Sequence, residues 1–281
     1  MRLSAPDLKK LMFIPIIMLV VSVFLVANSA VKGTIPMGVD LKGGTLITVY
    51  DPLDRQVLEE ALSGKFGKAS IDTIKSGVTV VGYTIQLNDF LDVEEKEALI
   101  NILKSLGAKE ENISIRDAQA SISTRTLNEG LKAMVFAFLF MALVIFVRFR
   151  TFVPSFAVVL SAFSDIVVTI AVMIILGIPL TTGSIVALLL LIGYSVDTDI
   201  LLTTRLLVRK AGKFEERLVR AMKTGLTMAA TTISAVAILY VASTSVVLKE
   251  ISVVILIGLM VDLLNTWIQN ARILQWYLES K

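Results

Sequence analysis

Apolar residues gather into six long runs along this chain. They cover positions 11–30, 133–149, 152–176, 182–202, 226–247 and 251–273, each near the ~20 residues that cross a bilayer core as a helix. The second is short and predicts a span with little tilt, or one that takes in Leu131. The first has a basic flank, as a secretory leader would, but its apolar stretch exceeds the ~7–15 residues of a leader core. It predicts a retained anchor. Between the first and second runs the pattern changes. Positions 45–50 are rich in β-formers, and Asp51-Pro52 then opens a helix to about Phe66, with Asp51 as N-cap and Pro52 at its first position. Positions 71–75 and 78–87 read as strands joined by a tight turn at Ser76-Gly77. Asp92 and Glu95 form a capping box ahead of a helix that ends at Leu106, where Gly107 suits the position after the cap. Positions 113–116 close as a strand. The order β-α-β-β-α-β is that of a ferredoxin-like domain.

Composition points the same way. Of the 281 residues, 55% are hydrophobic and 18% charged, and the mean hydropathy is +0.79; soluble domains run nearer ~45–50% and ~25%. The chain has no cysteine and no histidine. That excludes disulfides, thiolate nucleophiles, iron–sulfur ligation and histidine general bases, and leaves a zinc site only carboxylates. Lys and Arg mark the cytoplasmic side of a membrane protein. Here they fall before the first run (Arg2, Lys9, Lys10), between the second and third (Arg148, Arg150) and between the fourth and fifth (Arg205, Arg209, Lys210, Lys213, Arg217, Arg220, Lys223). The turn at Gly177-Ile178-Pro179 has no charge, and the turn after the fifth run has only Lys249 and Glu250. Alternate loops thus agree on a multi-pass protein of the cell membrane with both termini cytoplasmic. The expected fold is a membrane α-helical bundle of six transmembrane helices with an extracytoplasmic ferredoxin-like domain between the first and second spans. Its parts are 1–31, the N-terminus and first span; 32–129, the external domain; and 130–281, spans two to six. The external part has 11 Lys and Arg against 15 Asp and Glu, a net of −4. The basic segment 205–223 fits topology alone or the docking of a partner, and charge leaves both open.

Four carboxylates fall inside the expected spans: Asp165 in the third, Asp197 and Asp199 in the fourth, and Asp262 in the sixth. Each carries an insertion penalty of ~2.5–3.5 kcal/mol near the bilayer centre, so such residues face a bundle interior or a water-filled path. Asp165 and Asp262 lie roughly 20 and 17 Å along their helices, near the midplane. Asp197 and Asp199 point about 200° apart, so only one can face the other acids, and spacing does not choose between them. Asp199 shares a stripe with Ser195 and Thr203, and Asp197 with Tyr194 and Leu201. Asp197 has a second reading, as the neutraliser of Arg205. For Asp165 and Asp262 the plainer role is hydrogen bonding to Ser, Thr or Asn of neighbouring spans. Small and hydroxyl residues such as Ser161, Ser164, Gly193 and Ser195 permit close helix approach.

The stretch Gly38-Val39-Asp40-Leu41-Lys42-Gly43-Gly44-Thr45 resembles the Gly-hydrophobic-Asp-x-x-Gly-Gly signature of the SecD/SecF protein-export family, part of the RND superfamily. Ser164-Asp165-Ile166 resembles that family's third-span acidic motif. Gly193-Tyr194-Ser195 through Arg205 resembles its fourth-span pattern, Gly-Tyr-Ser-x-Asn-Asp-Thr ending in an Arg. The run Ala221-Met222-Lys223-Thr224-Gly225, followed by Thr231-Thr232, is similar to the family's entry into span five. The likeness covers nearly the whole chain. It departs at Asp197-Thr198-Asp199, which stands for Asn-Asp-Thr, and at Asp262, where many bacterial members are uncharged; the archaeal branch is the nearer match. The resemblance implies a SecD partner, contact with the SecYE channel and assistance to a translocating polypeptide. It also implies ion coupling through the membrane acids, in which proton flow drives the external domains. That role carries to Asp165 directly, and to Asp197, Asp199, Asp262 and Arg205 only through a shuffled motif.

The function expected is therefore that of a non-enzymatic accessory subunit of the export translocase. It would sit among membrane lipids, with no cofactor, no metal and no nucleic-acid partner. The alternative is a half-size RND-type exporter of small molecules or lipids, which would need a second half. An intramembrane aspartyl protease needs Tyr-Asp and Gly-x-Gly-Asp motifs, which these spans lack. There is no Walker-type phosphate loop. Gly43-Gly44 sits between a loop and a strand, where close backbone approach is the expected use.

Overall fold

The computed structural model describes residues 10–66, 69–76, 79–87, 89–118, 120–208 and 212–280. Arg2, Lys9, Gly77, Arg209 and Lys210 lie outside the described residues. Helix α1 (Phe13–Val31) is followed by a single helical turn, α2 (Val39–Lys42). An α/β domain comes next: β1 (Gly44–Val49), α3 (Arg55–Phe66), β2 (Ser70–Ser76), β3 (Thr79–Leu87), α4 (Val93–Ser105) and β4 (Ile113–Ala118). The strands lie in the order β2-β3-β1-β4 with every neighbouring pair antiparallel.

Strand alternation gives this sheet two different faces. Ile47 and Val49 of β1, with Ile85 and Leu87 of β3, pack against Leu58 and Leu62 of α3 and Leu99 and Leu103 of α4. Each such side chain contributes roughly 1.5–3 kcal/mol when fully buried. Leu46, Thr48 and Gln86 point the other way and line a cavity shared with the helical bundle.

Local chemistry explains the helix starts, with one correction. Glu95 N–H donates to the Asp92 carboxylate at 2.7 Å and Asp92 N–H to the Glu95 carboxylate at 3.0 Å, the expected capping box; Gly107 follows with φ of 98°. Helix α3 begins at Arg55, four residues after the expected cap. Asp54 accepts from the N–H groups of Gln56 and Val57 instead. Asp51 is engaged elsewhere: it accepts from Lys109 N–H at 2.9 Å and from the Asn112 amide at 2.8 Å, tying the end of β1 to the approach to β4. A tertiary contact thus outcompetes the local cap.

The bundle contains α5 (Ala120–Phe149), α6 (Phe152–Leu176), α7 (Thr182–Thr203), α8 (Phe214–Ala242), α9 (Val246–Leu264) and α10 (Ala271–Glu279). Helix α7 continues into a π-helical segment, Thr204–Val208, and a second one, Asn265–Asn270, joins α9 to α10. Helix α5 starts inside the segment expected to be the external domain. Helix α8 is displaced from the apolar run at 226–247: it takes in the charged stretch from Phe214 and stops at Ala242, where Ser243 turns the chain and accepts from Ser245 N–H at 3.1 Å. Among the described residues, five helices are long and apolar enough to cross a membrane: Phe13–Val31, Arg125–Phe149, Phe152–Leu176, Thr182–Val208 and Phe214–Ala242. Helix α9 is as apolar as these in its remaining residues but carries three charged ones, Lys249, Glu250 and Asp262. Helices α6 and α7 hold the buried centre, whereas α1, α5 and α8 turn most of their apolar side chains outward.

Candidate functional site

Three of the four acids expected inside spans meet in the bundle. Asp165 of α6, Asp199 of α7 and Asp262 of α9 are at most 1% exposed. The Ser195 hydroxyl donates to Asp165 Oδ2 at 2.5 Å, and the Asn265 amide donates to Oδ1 at 2.7 Å. Asp199 Oδ1 accepts from the Asn270 amide at 2.7 Å and lies 3.0 Å from the Thr266 hydroxyl. That hydroxyl is also 3.1 Å from Asp262 Oδ1. One threonine oxygen therefore bridges two carboxyl groups with a single hydrogen of its own. A second bond at that oxygen needs a hydrogen carried by one of the acids. Asp199 Oδ2 and Asp262 Oδ2 are buried with no hydrogen-bond partner, as are the carbonyl oxygens of Asn265 and Asn270. No Lys or Arg among the described residues forms an ion pair with these acids.

The choice between Asp197 and Asp199 is settled by burial. Asp199 faces the cluster, and Asp197 is exposed. Arg205 is half-buried in the π-helical segment, and among the described residues it forms no salt bridge with Asp197. The reading of that pair as mutual neutralisers is not realised. Missing from the sequence-based set were Asn265, Thr266, Gln269 and Asn270. Gln269 donates to the Ser164 hydroxyl at 3.3 Å, a further buried polar contact between this segment and α6. Their signal was present: from Asp262 they recur at steps of three and four, one face of a helix. π-Helical turns are uncommon and collect at functional sites, and this one carries four of the polar groups.

The glycine-rich stretch after α1 forms a joint. Gly38 N–H donates to Leu180 O at 2.8 Å and Leu180 N–H to Pro36 O at 2.7 Å. Asp40 Oδ2 accepts from Thr182 N–H at 2.5 Å, at the start of α7. A Cβ on Gly38 would stand 2.7 Å from Thr181 Cγ2 and 2.8 Å from Asp40 Oδ1. Close approach is thus present at Gly38, five residues before the Gly43-Gly44 pair where it was expected. The pair itself has φ of 91° and 128°, conformations that disfavour any side chain.

These features define a multi-pass membrane protein with an α/β domain inserted behind its first long helix and a polar acid cluster buried in its bundle. The sequence model described as protein export membrane protein SecD/SecF, C-terminal, matches residues 98–280. Curated proteins named protein-export membrane protein SecF are 40% identical over 97% of this chain and 96% of their own in Methanocaldococcus jannaschii, and 37% identical over 97% and 94% in Methanolacinia petrolearia. The chain belongs to the SecD/SecF family of protein-export membrane proteins, a family of transport components and not of enzymes. Its fold is that of SecDF, a translocon-associated membrane protein from Thermus thermophilus, with a TM-score of 0.78 at 19% identity over 98% of this chain and 38% of that one. A SecDF crystal structure in the super-membrane-facing form gives 0.59 at 17% identity over 97% and 39%. The exporter alternative is not favoured, since these relatives carry the export name.

Proposed function

We propose that this chain works as the SecF-type half of a SecD-partnered export machine beside the SecYE channel. In this reading six helices cross the cell membrane, with both termini in the cytoplasm and the α/β domain outside. The domain is ferredoxin-like, and it engages the emerging polypeptide. The alternate basic loops support the orientation, and the strand order β2-β3-β1-β4 supports the domain assignment. Membrane lipid is the solvent for the outward faces of α1, α5 and α8.

Ion flow through Asp165, Asp199 and Asp262 drives the domain. The observation that carries this is the buried acid cluster: Thr266 bridges Asp199 and Asp262, Asn270 holds Asp199, and Ser195 and Asn265 hold Asp165 beside them, with unpartnered oxygens on Asp199 and Asp262 and no cationic partner among the described residues. Acids held at such a cost in a bundle interior are characteristic of proton and ion pathways. Asp165→Asn is expected to slow export of a secreted reporter in cells and to remove its dependence on the proton or sodium gradient. Normal secretion with unchanged gradient dependence would refute the coupling.

A further inference from the structure

We propose that Asp40, Thr181 and Glu250 form a proton-sensitive joint that sets how firmly the α/β domain is held to helices α7 and α9. The proposal rests on the reading above that the domain moves against the bundle, and it adds where that motion is regulated. Its basis is a second polar cluster, separate from the intramembrane acids. The Thr181 hydroxyl accepts from Ser184 N–H at 3.1 Å and donates its only hydrogen to Glu250 Oε2 at 2.9 Å. Asp40 takes the neighbouring N–H, that of Thr182. Two of the N–H groups left open at the start of α7 are thus closed, one by the helix's own threonine and one by the stretch leading into the domain. Packing is tight: besides Gly38, a Cβ on Gly183 would stand 3.3 Å from Glu250 Oε2. A cavity of about 460 Å³ lies between this cluster and the open face of the sheet, lined by Asp40, Glu250, Arg116 and Asp117.

Charge makes the joint responsive. Glu250 lies just ahead of the apolar run at 251–273. Burial pushes its carboxyl up to about 7, and the carboxylates of Asp40 and Asp72 add to that, while the Thr181 hydrogen bond works against it. Asp72 comes from β2, and the domain also presents Tyr50, Arg116 and Asp117 to the cavity. Lys249 neighbours Glu250 on α9, and α7 contributes only hydroxyls. Neutral Glu250 leaves Asp40 undisturbed at the positive end of α7. Ionised Glu250 sets a second negative charge beside it and loosens the contact. The helices that start here carry Asp199 and Asp262, so the joint lies at the ends of both acid-bearing segments.

The chain has no cysteine, so spin labels at Glu97→Cys in α4 and Val241→Cys at the end of α8 can report the domain-to-bundle distance in full-length protein in nanodiscs. Pulsed electron resonance between pH 5.5 and 8.5 is expected to show one short population at low pH. A longer one should grow with a midpoint near the value of about 7. Glu250→Gln should hold the short population throughout. Asp72→Asn, which touches none of the joint's hydrogen bonds, should lower the midpoint. A distribution that does not change with pH, or an unaltered transition in Glu250→Gln, would overturn the joint. Neither result bears on ion coupling, which the Asp165→Asn export assay tests separately.

Discussion

A hydroxyl between two acids is the feature on which the site turns. Thr266 supplies one hydrogen to a pair of carboxyl oxygens 3.0 and 3.1 Å away. Replacing it by valine, which matches its shape, leaves both acids short of a partner. Removing one partner from a buried polar group costs about 1–3 kcal/mol, so Thr266→Val is expected to lower the thermal midpoint in detergent while Ser63→Ala, at an exposed site in α3, leaves it alone. Asp197 and Asp199 offer a sharper contrast. Asp199→Asn is expected to impair export as Asp165→Asn does, and Asp197→Asn to behave as wild type. Equal loss from both would show that exposure in the isolated chain does not report the role. The sequence had narrowed this choice to two residues and could go no further, because helical spacing fixes the angle between side chains but not which way the helix turns.

Elements add constraints of their own. In the Gly225 neighbourhood, α8 packs directly on the π-helical segment: a Cβ there would stand 2.3 Å from Trp267 Cζ2. Inserting bulk into a packed contact costs roughly 1–3 kcal/mol, and a ring this constrained cannot move aside as a flexible chain can. Gly225→Val is expected to destabilise the protein by about that amount and to weaken export by shifting Asn265 and Asn270. Gly64→Ala, at an open position of α3 with nothing near the added atom, is the control: export should be unchanged and melting unchanged or slightly raised, since alanine favours a helix over glycine by up to about 1 kcal/mol. Most helix and strand positions could be read directly from periodicity and caps, and the Asp92–Glu95 box is the clearest case. The start of α3 could not, since Asp51 and Asp54 both suit a cap and only the distant Lys109 and Asn112 decide between them.

On the scale of the whole molecule, orientation and pH response can be measured together. Ser63→Cys should react with an impermeant maleimide on intact cells, and Glu216→Cys in α8 only after the membrane is opened. The reverse pattern would invert the proposed topology. Glu250 gives a stability signature. Its carboxyl is raised from 4.5 to about 7 in the folded protein, so the fold binds a proton that the unfolded chain has released. The stabilisation is complete below 4.5 and is lost as pH rises through about 7. The melting temperature of Glu250→Gln should therefore fall less than that of wild type between pH 5.5 and 8.5.

The sequence alone determined the membrane class, the alternation of basic loops, the strand and helix order of the inserted domain, and the presence of four acids within its apolar runs. All of these follow from local composition and period, which a linear chain records. Only the tertiary structure decided which acids meet, that Asp197 stays outside the cluster, and that four polar residues after Asp262 complete it. It also decided that the glycine-rich stretch is clamped to α7. Each of these is a contact between segments distant in the chain, set by how the helices rotate and pack, and neither property is written in any one segment.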